Sequence, residues 1–519
     1  MRSRTKTRWW AAFGATAILG GLLALPGGVS SAAAQTGPRA IARGGQGQAD
    51  TPREVNFSSV STSLANVNNG AHAARTIPGF APPAGPSGKQ AVGPLVNSPP
   101  TLVKAQWAGT SNGTSSCFCQ PPDTNAAIGG SYVVEAVNLA LATYSKTGVL
   151  SRRISINSFL GTSEPLSDPR ILFDNTWKRW VLTVIPIPAN SSSTPALWMA
   201  ASTGSNPNGS WRVYRFGFSG GLYPAGTLLD YPMVGMDSDS LIVTSNNFAP
   251  SGFIGAASFA VAKQRLYNGQ GISFPAFGVS PSAHPAIAFG APQAQYGRSY
   301  LVAANGGGGF DLYYMTNTSR PDSTTMTFQG STANGFWSSP GPGKQPAGFP
   351  DLDALDGRLQ APPYQVGNRS WFAHASGFPV VQYGYLDANT GGSGGVAAST
   401  GIAFVAGSSY DWNPAIAVGN SGHVFLSWAF TDPTAGTPVS LRMSGLIPGE
   451  APQNLIGPGA GTTVFTGSLG NNTRFGDYSS VSLDTGSSSC PTGANAVIIN
   501  ETFASNNDWV SRIARVGFC

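Results

Sequence analysis

The feature that most constrains the fold is a series of short apolar runs that starts near residue 102 and recurs along the rest of the chain. Examples are Tyr132–Val137, Trp180–Ile187 and Val424–Phe430, and clusters of turn residues such as SKTG and GNSGH separate them. Short runs bounded in this way predict β-strands. No segment keeps a sustained helical period, and the single helical candidate, Ala262–Tyr267, is short. The sequence therefore predicts an all-β fold.

The number of these runs indicates how the strands are grouped. Roughly two dozen strands in ~420 residues fit a β-propeller of about six to seven four-stranded blades. Two β-sandwich domains are the alternative. Trp198–Trp211 and Ile416–Trp428 favour the propeller, because each reads as strand, tight turn and strand, with an aromatic residue to wedge between blades.

The composition excludes some classes of partner. Charged residues make up 10% of the chain, whereas Gly and Pro number 67 and 40, which is typical of an extracellular, turn-rich protein. The formal charge of +6 indicates little, since removing Arg2, Arg4, Lys6 and Arg8 lowers it to +2. We therefore expect no nucleic-acid partner.

Residues 1–34 have the pattern of a secretory signal peptide. A basic start, MRSRTKTR, precedes an apolar stretch from about Trp9 to Leu25 and a run of small residues that ends at Ala34. The alternative is a membrane anchor, which the short, Gly-rich stretch disfavours. No other apolar run is long enough to span a bilayer, so we expect a secreted monomer, cleaved near Ala34, that does not insert into a membrane.

Two further regions follow the predicted leader. Residues 35–100 are rich in Pro and Gly and show hardly any apolar periodicity, which predicts a flexible or partly extended lead segment. Residues 101–519 hold the apolar runs and are predicted to form the β-propeller domain.

The four cysteines also suit an exported protein, in which an even count predicts two disulfides. Cys490 and Cys519 are predicted to pair with each other. Cys117 and Cys119 then pair across one residue, with cross-pairing to the other two as the alternative. A zinc site is a further alternative, but no histidine lies near a cysteine.

Several sequence segments occur together in a characteristic order. They are Pro121–Asn138, Asp168–Thr183, Leu229–Phe248, Leu352–Leu359, Thr473–Asp484 and, near the end, Asn500-Glu501 with Trp509–Ile513. In this set the chain resembles a family of secreted bacterial β-propeller proteins that are often labelled sialidase-like. The resemblance covers about Pro121–Cys519. It implies a propeller fold and export, and it assigns no catalytic residues.

The sialidase label can be compared with individual residues. The Asp-box turn of sialidases reads Ser-x-Asp-x-Gly-x-Thr-Trp, whereas Ser205–Trp211 is one residue shorter and has no Asp. The resemblance therefore predicts architecture better than activity.

Acidic residues within apolar strands are candidates for catalysis. Of the five glutamates, Glu135 and Glu501 lie inside or at the end of apolar runs. A buried carboxyl needs a partner or has its pKa raised, and a raised pKa suits a general acid. The alternative is that each Glu points out of its strand or pairs with an Arg.

Acidic and basic residues also crowd three short segments. Guanidinium groups there are predicted to clamp a substrate carboxylate, and the carboxyls to serve hydrolysis. Ion pairs between blades are the alternative. The predicted catalytic set is Asp168, Arg170, Asp356, Arg358, Arg474, Asp477, Tyr478 and Glu501.

Ca²⁺ is the single cofactor that the sequence suggests. Asp351 and Asp353, close to Asp356 and together with Asp237 and Asp239, could supply hard oxygen ligands, because Asp-x-Asp on a strand places both carboxylates on one face. The alternative is that these residues form turns. No phosphate loop and no haem or flavin signature is present, and otherwise we expect no cofactor.

Two functions remain compatible with the sequence. One is a secreted carbohydrate-active enzyme, either a glycoside hydrolase or a polysaccharide lyase, whose predicted catalytic residues converge at one end of a central channel. The other is a non-catalytic propeller that binds a polysaccharide, cell-surface glycan, cell wall or protein, with its charges dispersed and aromatic side chains at its rim. Because no catalytic constellation is visible in the sequence, the non-catalytic binding protein is the preferred hypothesis.

Overall fold

A computed structural model describes most of the chain after the predicted leader. The described residues are 38–64, 75, 77–78, 84, 102–218, 222–288, 297–388, 396–450, 461–471, 473–486, 490–505 and 508–519. The leader, residues 1–34, and most of the predicted lead segment after residue 64 lie outside them. Among the described residues, no helix is long and apolar enough to cross a membrane.

The regular secondary structure of the described residues is almost entirely β-strand, which confirms the all-β prediction. The first strands are β1 (Arg39–Ile41), β2 (Arg43–Ala49), β3 (Arg53–Asn56), β4 (Leu102–Ser111), β5 (Asn125–Gly129), β6 (Tyr132–Val137), β7 (Ala140–Ser145) and β8 (Leu150–Ser155). They continue with β9 (Leu166–Asp174), β10 (Arg179–Pro186), β11 (Ala196–Ser202), β12 (Ser210–Gly217), β13 (Leu228–Met236), β14 (Ser240–Ala249), β15 (Gly252–Ala262) and β16 (Ser273–Val279). Next are β17 (His284–Pro285), β18 (Ile287–Ala288), β19 (Ser299–Ala304), β20 (Phe310–Thr316), β21 (Thr325–Ser331), β22 (Tyr364–Val366), β23 (Arg369–Ser376), β24 (Val380–Asp387) and β25 (Ala397–Ala403). The last are β26 (Tyr410–Val418), β27 (Val424–Asp432), β28 (Thr437–Leu446), β29 (Thr462–Thr466), β30 (Ser480–Leu483), β31 (Asn495–Ser505) and β32 (Asp508–Gly517).

The helices are short and connect strands. They are α1 (Asn112–Ser115), α2 (Ile156–Leu160), α3 (Lys263–Asn268) and a 3-10 turn at Phe57–Ser59. The helical candidate of the sequence, Ala262–Tyr267, therefore corresponds to α3.

Within the described residues, β5 to β32 form seven antiparallel meanders of four strands. Five of them are β5–β8, β9–β12, β13–β16, β22–β25 and β26–β29, and another joins β17 to β19, β20 and β21. The last runs β30, β31, β32 and is completed by β4, which precedes all the others in the chain. Hairpins between neighbours in sequence explain this pattern, because turn clusters separate consecutive strands.

The first strands of the meanders contact one another in a cyclic order. Strand β5 contacts β9, β9 contacts β13, and β13 contacts β17. Strand β18 pairs with both β13 and β22, β22 contacts β26, and β26 contacts β30, which contacts β5 again. This order differs from two β-sandwich domains, in which two sheets pack face to face.

The predicted lead segment is more ordered than its composition suggests. Strand β2 pairs with β12 and with β16, so it joins two meanders, while β3 pairs with β12 and β1 with β21. These strands satisfy backbone groups that the outer edges of the meanders would otherwise leave unpaired. Gly47 permits this approach, since a Cβ atom there would lie 2.4 Å from the Phe274 ring.

Large aromatic side chains fill the core. Trp211 and Trp428 are fully buried, and Trp198 is half-buried. These residues belong to the two sequence segments that favour a propeller, Trp198–Trp211 and Ile416–Trp428. Trp211 packs edge-on against Phe159 with ring centroids 5.5 Å apart, and Phe57 of the lead segment packs against both. The predicted wedging role of these indoles fits this packing.

Both disulfides have the predicted partners. Cys490 pairs with Cys519, and Cys117 pairs with Cys119 across Phe118. The four thiols are therefore all used, and the zinc alternative is wrong.

A left-handed turn recurs within the first strand of each meander or in the nine residues before it. These turns have positive φ values of 57°, 56°, 53°, 52°, 58°, 49° and 30° at Asp123, Asp168, Tyr231, Ser282, Leu355, Asn413 and Gly476. Non-glycine residues adopt such values at a cost of about 1–3 kcal/mol, and they cluster at functional sites. In this chain the turns bring polar side chains together at one end of the first strands.

Candidate functional site

A cavity of about 410 Å³ lies at this end of the first strands, and four carboxyl groups line it. We call it the carboxyl cavity. Four of its lining residues have left-handed backbone turns, namely Asp123, Asp168, Tyr231 and Leu355. The charged residues of its wall are Asp123, Asp168, Asp230, Asp477, Arg75 and Arg358.

A stack of two guanidinium groups and two phenol rings lies at the base of this cavity, and we call it the ring stack. Tyr231 and Tyr478 stack with centroids 4.8 Å apart. Arg358 lies 4.8 Å from the Tyr231 ring on one side, and Arg170 lies 3.8 Å from the Tyr478 ring on the other. Cation–π contacts of this kind hold charges in buried positions. The ring stack thereby joins segments that lie far apart in the sequence.

Asp168 accepts hydrogen bonds at both carboxyl oxygens. The Tyr478 hydroxyl donates to Oδ2, and Ser167 Oγ donates to Oδ1 at 2.6 Å. Its backbone N–H donates to Asn138 Oδ1 at 3.1 Å, which fixes the turn at the start of β9. Asp168 is therefore held as an acceptor facing the cavity.

Asp123 contributes a second, more deeply buried carboxyl. Asn138 Nδ2 donates to its Oδ2 at 2.8 Å, while its Oδ1 has no hydrogen-bond partner among the described residues. Burial, followed by the nearby charges of Asp168 and Asp477, raises the pKa of Asp123 well above its usual range. The raised pKa favours the neutral carboxylic acid, which is the form that can donate a hydrogen bond into the cavity.

Asp230, at the start of β13, has no hydrogen-bond donor within the described part of the chain. Burial, with the charge of Asp168 next, raises the pKa of Asp230 to about 7. A carboxyl that titrates near neutrality and faces a cavity can donate and take up protons during a reaction.

Asp477 is held in position by hydrogen bonds from Arg474, which lies outside the cavity wall. Arg474 Nη2 donates to both oxygens of Asp477 at 2.6 and 2.7 Å, and Nη1 donates to Asp353 at 2.5 Å. Burial raises the pKa of Asp477 to about 6 although Arg474 opposes the shift. Arg474 is not part of the cavity wall, so its role is to position Asp477.

Asp356 and Arg358 form a bidentate ion pair with N–O distances of 2.7 and 2.5 Å. Burial would raise the pKa of Asp356, but the charge and hydrogen bonds of Arg358 outweigh it, and the pKa is lowered. Asp356 thus holds the guanidinium group that lies over Tyr231 and faces the cavity.

The three predicted guanidinium groups do not meet in one clamp. Arg358 faces the carboxyl cavity, Arg474 pairs with Asp353 and Asp477, and Arg170 belongs to a different cavity on the other side of Tyr478. The structure therefore brings Asp168, Arg358, Asp477 and Tyr478 together and leaves the remaining predicted residues as supports.

Glu501 lies outside the cavity wall. It is fully buried within β31, and its Oε2 accepts from the Gly476 N–H at 2.7 Å. Burial raises the pKa of Glu501 to about 8. Gly476 has no room for a side chain, because a Cβ atom would lie 2.2 Å from Asn413 Nδ2. Glu501 therefore holds the turn that presents Asp477, and its predicted catalytic contact is not seen.

Glu135, the other buried glutamate, is satisfied by its surroundings. It accepts hydrogen bonds from the Thr110 N–H and hydroxyl, from the Tyr144 hydroxyl at 2.7 Å and from Ser511. These contacts tie β6 to β4 and β32, so its role is structural.

The buried Glu501 predicts how stability depends on pH. Its pKa is about 8 in the folded protein and 4.5 ordinarily, so the unfolded chain loses the proton first. Stability contributed by the neutral group is complete below pH 4.5 and is lost as the pH rises to 8. We expect Glu501→Gln to be more stable than the parent protein at pH 8, by on the order of 3 kcal/mol, and nearly equal at pH 4.5.

Urea denaturation at both pH values measures this difference. Glu54→Gln, at an exposed position of β3, is the matched control and should keep the parent's pH dependence. Equal pH dependence of Glu501→Gln and the parent would contradict the role of Glu501.

The predicted calcium ligands are used differently. Asp353 pairs with Arg474 and accepts from the Leu355 N–H at 2.8 Å, while Asp351 is exposed. Among the described residues, no group of three or more His, Cys, Asp or Glu side chains is placed to hold a metal ion. Ca²⁺ binding stays a prediction without a site.

Asp123 and Asp230 were not among the predicted site residues. Asp123 lies in the Pro-Pro-Asp-Thr-Asn turn, and Asp230 directly precedes Tyr231-Pro232. The sequence around each residue indicates a turn or a strand and does not indicate a functional site. Asp123 precedes β5 by two positions, whereas Asp230 is the third residue of β13, so no shared sequence position marks the two residues.

Comparison with known proteins identifies no family. No protein-family model matches the chain, and no curated protein matches it. Among solved structures, a GH43 endo-arabinanase from Bacillus licheniformis is 15% identical over 55% of this chain and 93% of that chain, with a TM-score of 0.26. An exo-beta-1,3-galactanase from Phanerochaete chrysosporium is 10% identical over 80% and 99%, with a TM-score of 0.30. A polysaccharide lyase is 8% identical over 77% and 91%, with a TM-score of 0.27.

These TM-scores lie below the level at which a shared fold follows. None of these three proteins is described as a sialidase. The assignment of function therefore depends on the strands and side chains of this chain itself.

Proposed function

We propose that this chain is a carbohydrate-active enzyme, a glycoside hydrolase, and that the carboxyl cavity is its active site. The observation that carries the proposal is the convergence of four carboxyl groups on one cavity, where burial and mutual repulsion raise the pKa of Asp230 to about 7 and of Asp477 to about 6. Glycoside hydrolysis needs a carboxyl that keeps its proton beside one that accepts.

Asp230 and Asp168 fit these two roles. Asp230 titrates near neutrality and is free to protonate the leaving glycosidic oxygen. Asp168, whose oxygens both accept hydroxyl hydrogen bonds, supplies the second carboxylate that faces the sugar ring. Its charge is the strongest of those that raise the pKa of Asp230, which indicates that the two groups lie near each other.

Two further side chains would bind the glycan without taking part in the hydrolysis. Asp123, whose buried Oδ1 has no hydrogen-bond partner among the described residues, offers a hydrogen bond to a sugar hydroxyl. Arg358, held by Asp356, offers guanidinium N–H donors at the cavity wall, where hydroxyl or carboxylate oxygens of a glycan can accept them.

The alternative, a non-catalytic binding protein, has less support. It requires dispersed charges and exposed aromatic side chains, whereas Phe118 is the only strongly exposed aromatic residue in the described part of the chain. The converging carboxyls favour the enzyme, so we reverse the preference drawn from the sequence.

We further propose that the seven meanders are the blades of a β-propeller, with β4 closing the last one. The cyclic contacts between first strands support this assignment, since adjacent blades of a propeller meet around a central channel. Ligand sites of such folds lie at one end of the channel, as the carboxyl cavity does. Monomeric state and secretion remain proposals that rest on composition and on residues 1–34.

The proposal is tested by producing the protein with residues 1–34 and screening it against polysaccharides and chromogenic glycosides. We expect turnover of at least one glycan, with kcat/KM falling as the pH rises through about 7, because the general acid Asp230 is active only when protonated. If the leader is removed, the exported protein begins at Gln35. No turnover, together with retention on an immobilised glycan, would instead establish the binding protein.

A further inference from the structure

A second cavity, of about 340 Å³, lies along the first strands on the other side of the ring stack. Most of the meanders contribute to its wall from their first strands, and we call it the channel cavity. Representative wall residues are Ala126, Ile171, Val234, Tyr364, Ile416 and Val481. Arg170 lines this cavity, whereas Tyr231 and Arg358 line the carboxyl cavity.

Arg170 is buried without a carboxylate partner. Its exposed fraction is 3%, and none of the ion pairs formed within the described residues includes it. Its Nη2 lies 3.2 Å from Met233 Sδ, its plane covers the Tyr478 ring, and its Nη1 has no hydrogen-bond partner among the described residues. Burial lowers the pKa of Arg170, which reflects the cost of keeping this charge away from water.

The other charges of the channel cavity are already matched or exposed. Lys263 pairs with Asp174 at 2.8 Å, both being 1% exposed. Asp237 accepts from the backbone of Asp239 and Ser240 and from two hydroxyl groups. With Lys178 and Arg170, the wall carries three cationic and two anionic side chains, so one positive charge is unmatched.

A buried guanidinium group is stable when an anion accepts its hydrogen bonds, and leaving it unpaired costs several kcal/mol. Guanidinium N–H groups match the two oxygens of a carboxylate in spacing and plane. One unmatched charge suits a monoanion, and the volume accommodates a molecule the size of a sugar acid.

We propose that the channel cavity binds a small monocarboxylate and that Arg170 is the residue that pairs with it. This site is separate from the carboxyl cavity. It does not depend on the proposed hydrolase activity, because binding is measured directly and not through turnover.

Isothermal titration with sodium glucuronate and with sodium acetate tests the proposal, and glucose serves as the neutral comparison. We expect the parent protein to bind both carboxylates and not glucose. Arg170→Gln should weaken binding roughly ten- to a hundred-fold, because a hydrogen bond to a charged group is lost. Arg369→Gln is the matched control, since Arg369 is 50% exposed and lines neither cavity, and it should bind as the parent does. Arg358→Gln is measured beside it to detect binding in the carboxyl cavity.

Arg170→Lys covers the case in which the glutamine variant does not fold, since it keeps the charge and loses the planar fork. It should bind more weakly than the parent, and near-ultraviolet circular dichroism confirms its folding. No binding of either carboxylate by the parent would overturn the proposal. Unchanged binding by a folded Arg170 variant, or a loss confined to Arg358→Gln, would overturn it as well, the latter by placing the ligand in the carboxyl cavity.

Discussion

Replacing Asp230 with asparagine is expected to lower kcat/KM on the glycan substrate about a hundred- to ten-thousand-fold, the contribution of a positioned general acid. Asparagine keeps the size and polarity of the side chain and cannot transfer the proton that the leaving oxygen needs. The fall in activity as the pH rises through about 7 should be absent in this variant, because the Asp230 carboxyl that causes the fall has been removed. Initial rates measured across the pH range give both quantities.

Asp239→Asn is the matched control for this substitution. Asp239 is an exposed aspartate on the turn between β13 and β14 and lies outside the carboxyl cavity. It should retain full activity. Substantial activity of a folded Asp230→Asn variant, with its alkaline fall unchanged, would refute the role of Asp230 as the acid.

Replacing Lys263 with methionine is expected to lower the free energy of unfolding by about 3–5 kcal/mol, because it leaves the buried Asp174 carboxylate without its cation. Lys263 Nζ lies 2.8 Å from Asp174 and also donates to the Asp237 carbonyl. Tyr267 still donates to Asp174 at 2.8 Å, but a hydroxyl does not neutralise the charge. Denaturant unfolding followed by tryptophan fluorescence measures the loss.

The ion pair of Arg369 and Asp387, in which the arginine is half exposed, provides the comparison. Arg369 is 50% exposed and lies 3.1 Å from Asp387, so Arg369→Met should cost less than about 1 kcal/mol. If the two methionine variants lose similar stability, the pair of Lys263 and Asp174 does not stabilise the fold through its burial.

The fold class could be predicted because its signals are local. Strands such as Tyr132–Val137 and Val424–Asp432 coincide with apolar runs, and the turn clusters between them produce hairpins. The pairing of Cys490 with Cys519 was predictable for a similar reason, since the two residues are 29 positions apart.

The lead segment shows where local signals fail. Arg43–Ala49 reads as a flexible stretch because its own residues bury little apolar area. Its order comes from backbone pairing with β12 and β16, which lie more than a hundred residues further along the chain. The composition of a segment carries no information about a strand that pairs with it from so far away in the sequence.

The candidate site was predictable in part. The segments around Asp168 and Arg474–Tyr478 were singled out by their charges, and Tyr478 does contact Asp168 from 310 positions away. Burial of Asp123 and Asp230, which raises the pKa of each carboxyl, depends on several meanders at once. No local pattern distinguishes such an acid from an aspartate that only forms a turn.

Strand β4 completes the last meander, and this pairing affects how parts of the folded protein unfold locally. Ser511 of β32 donates to the carbonyl of Thr110 in β4, 401 positions away in the sequence. In a linear repeat array, the outermost repeat has one neighbour and frays first. Here each meander contacts a neighbour on both sides, so local opening must break two interfaces at once. Resistance to proteases should therefore be similar across the meanders, and cutting the loop between β4 and β5 should leave the protein folded.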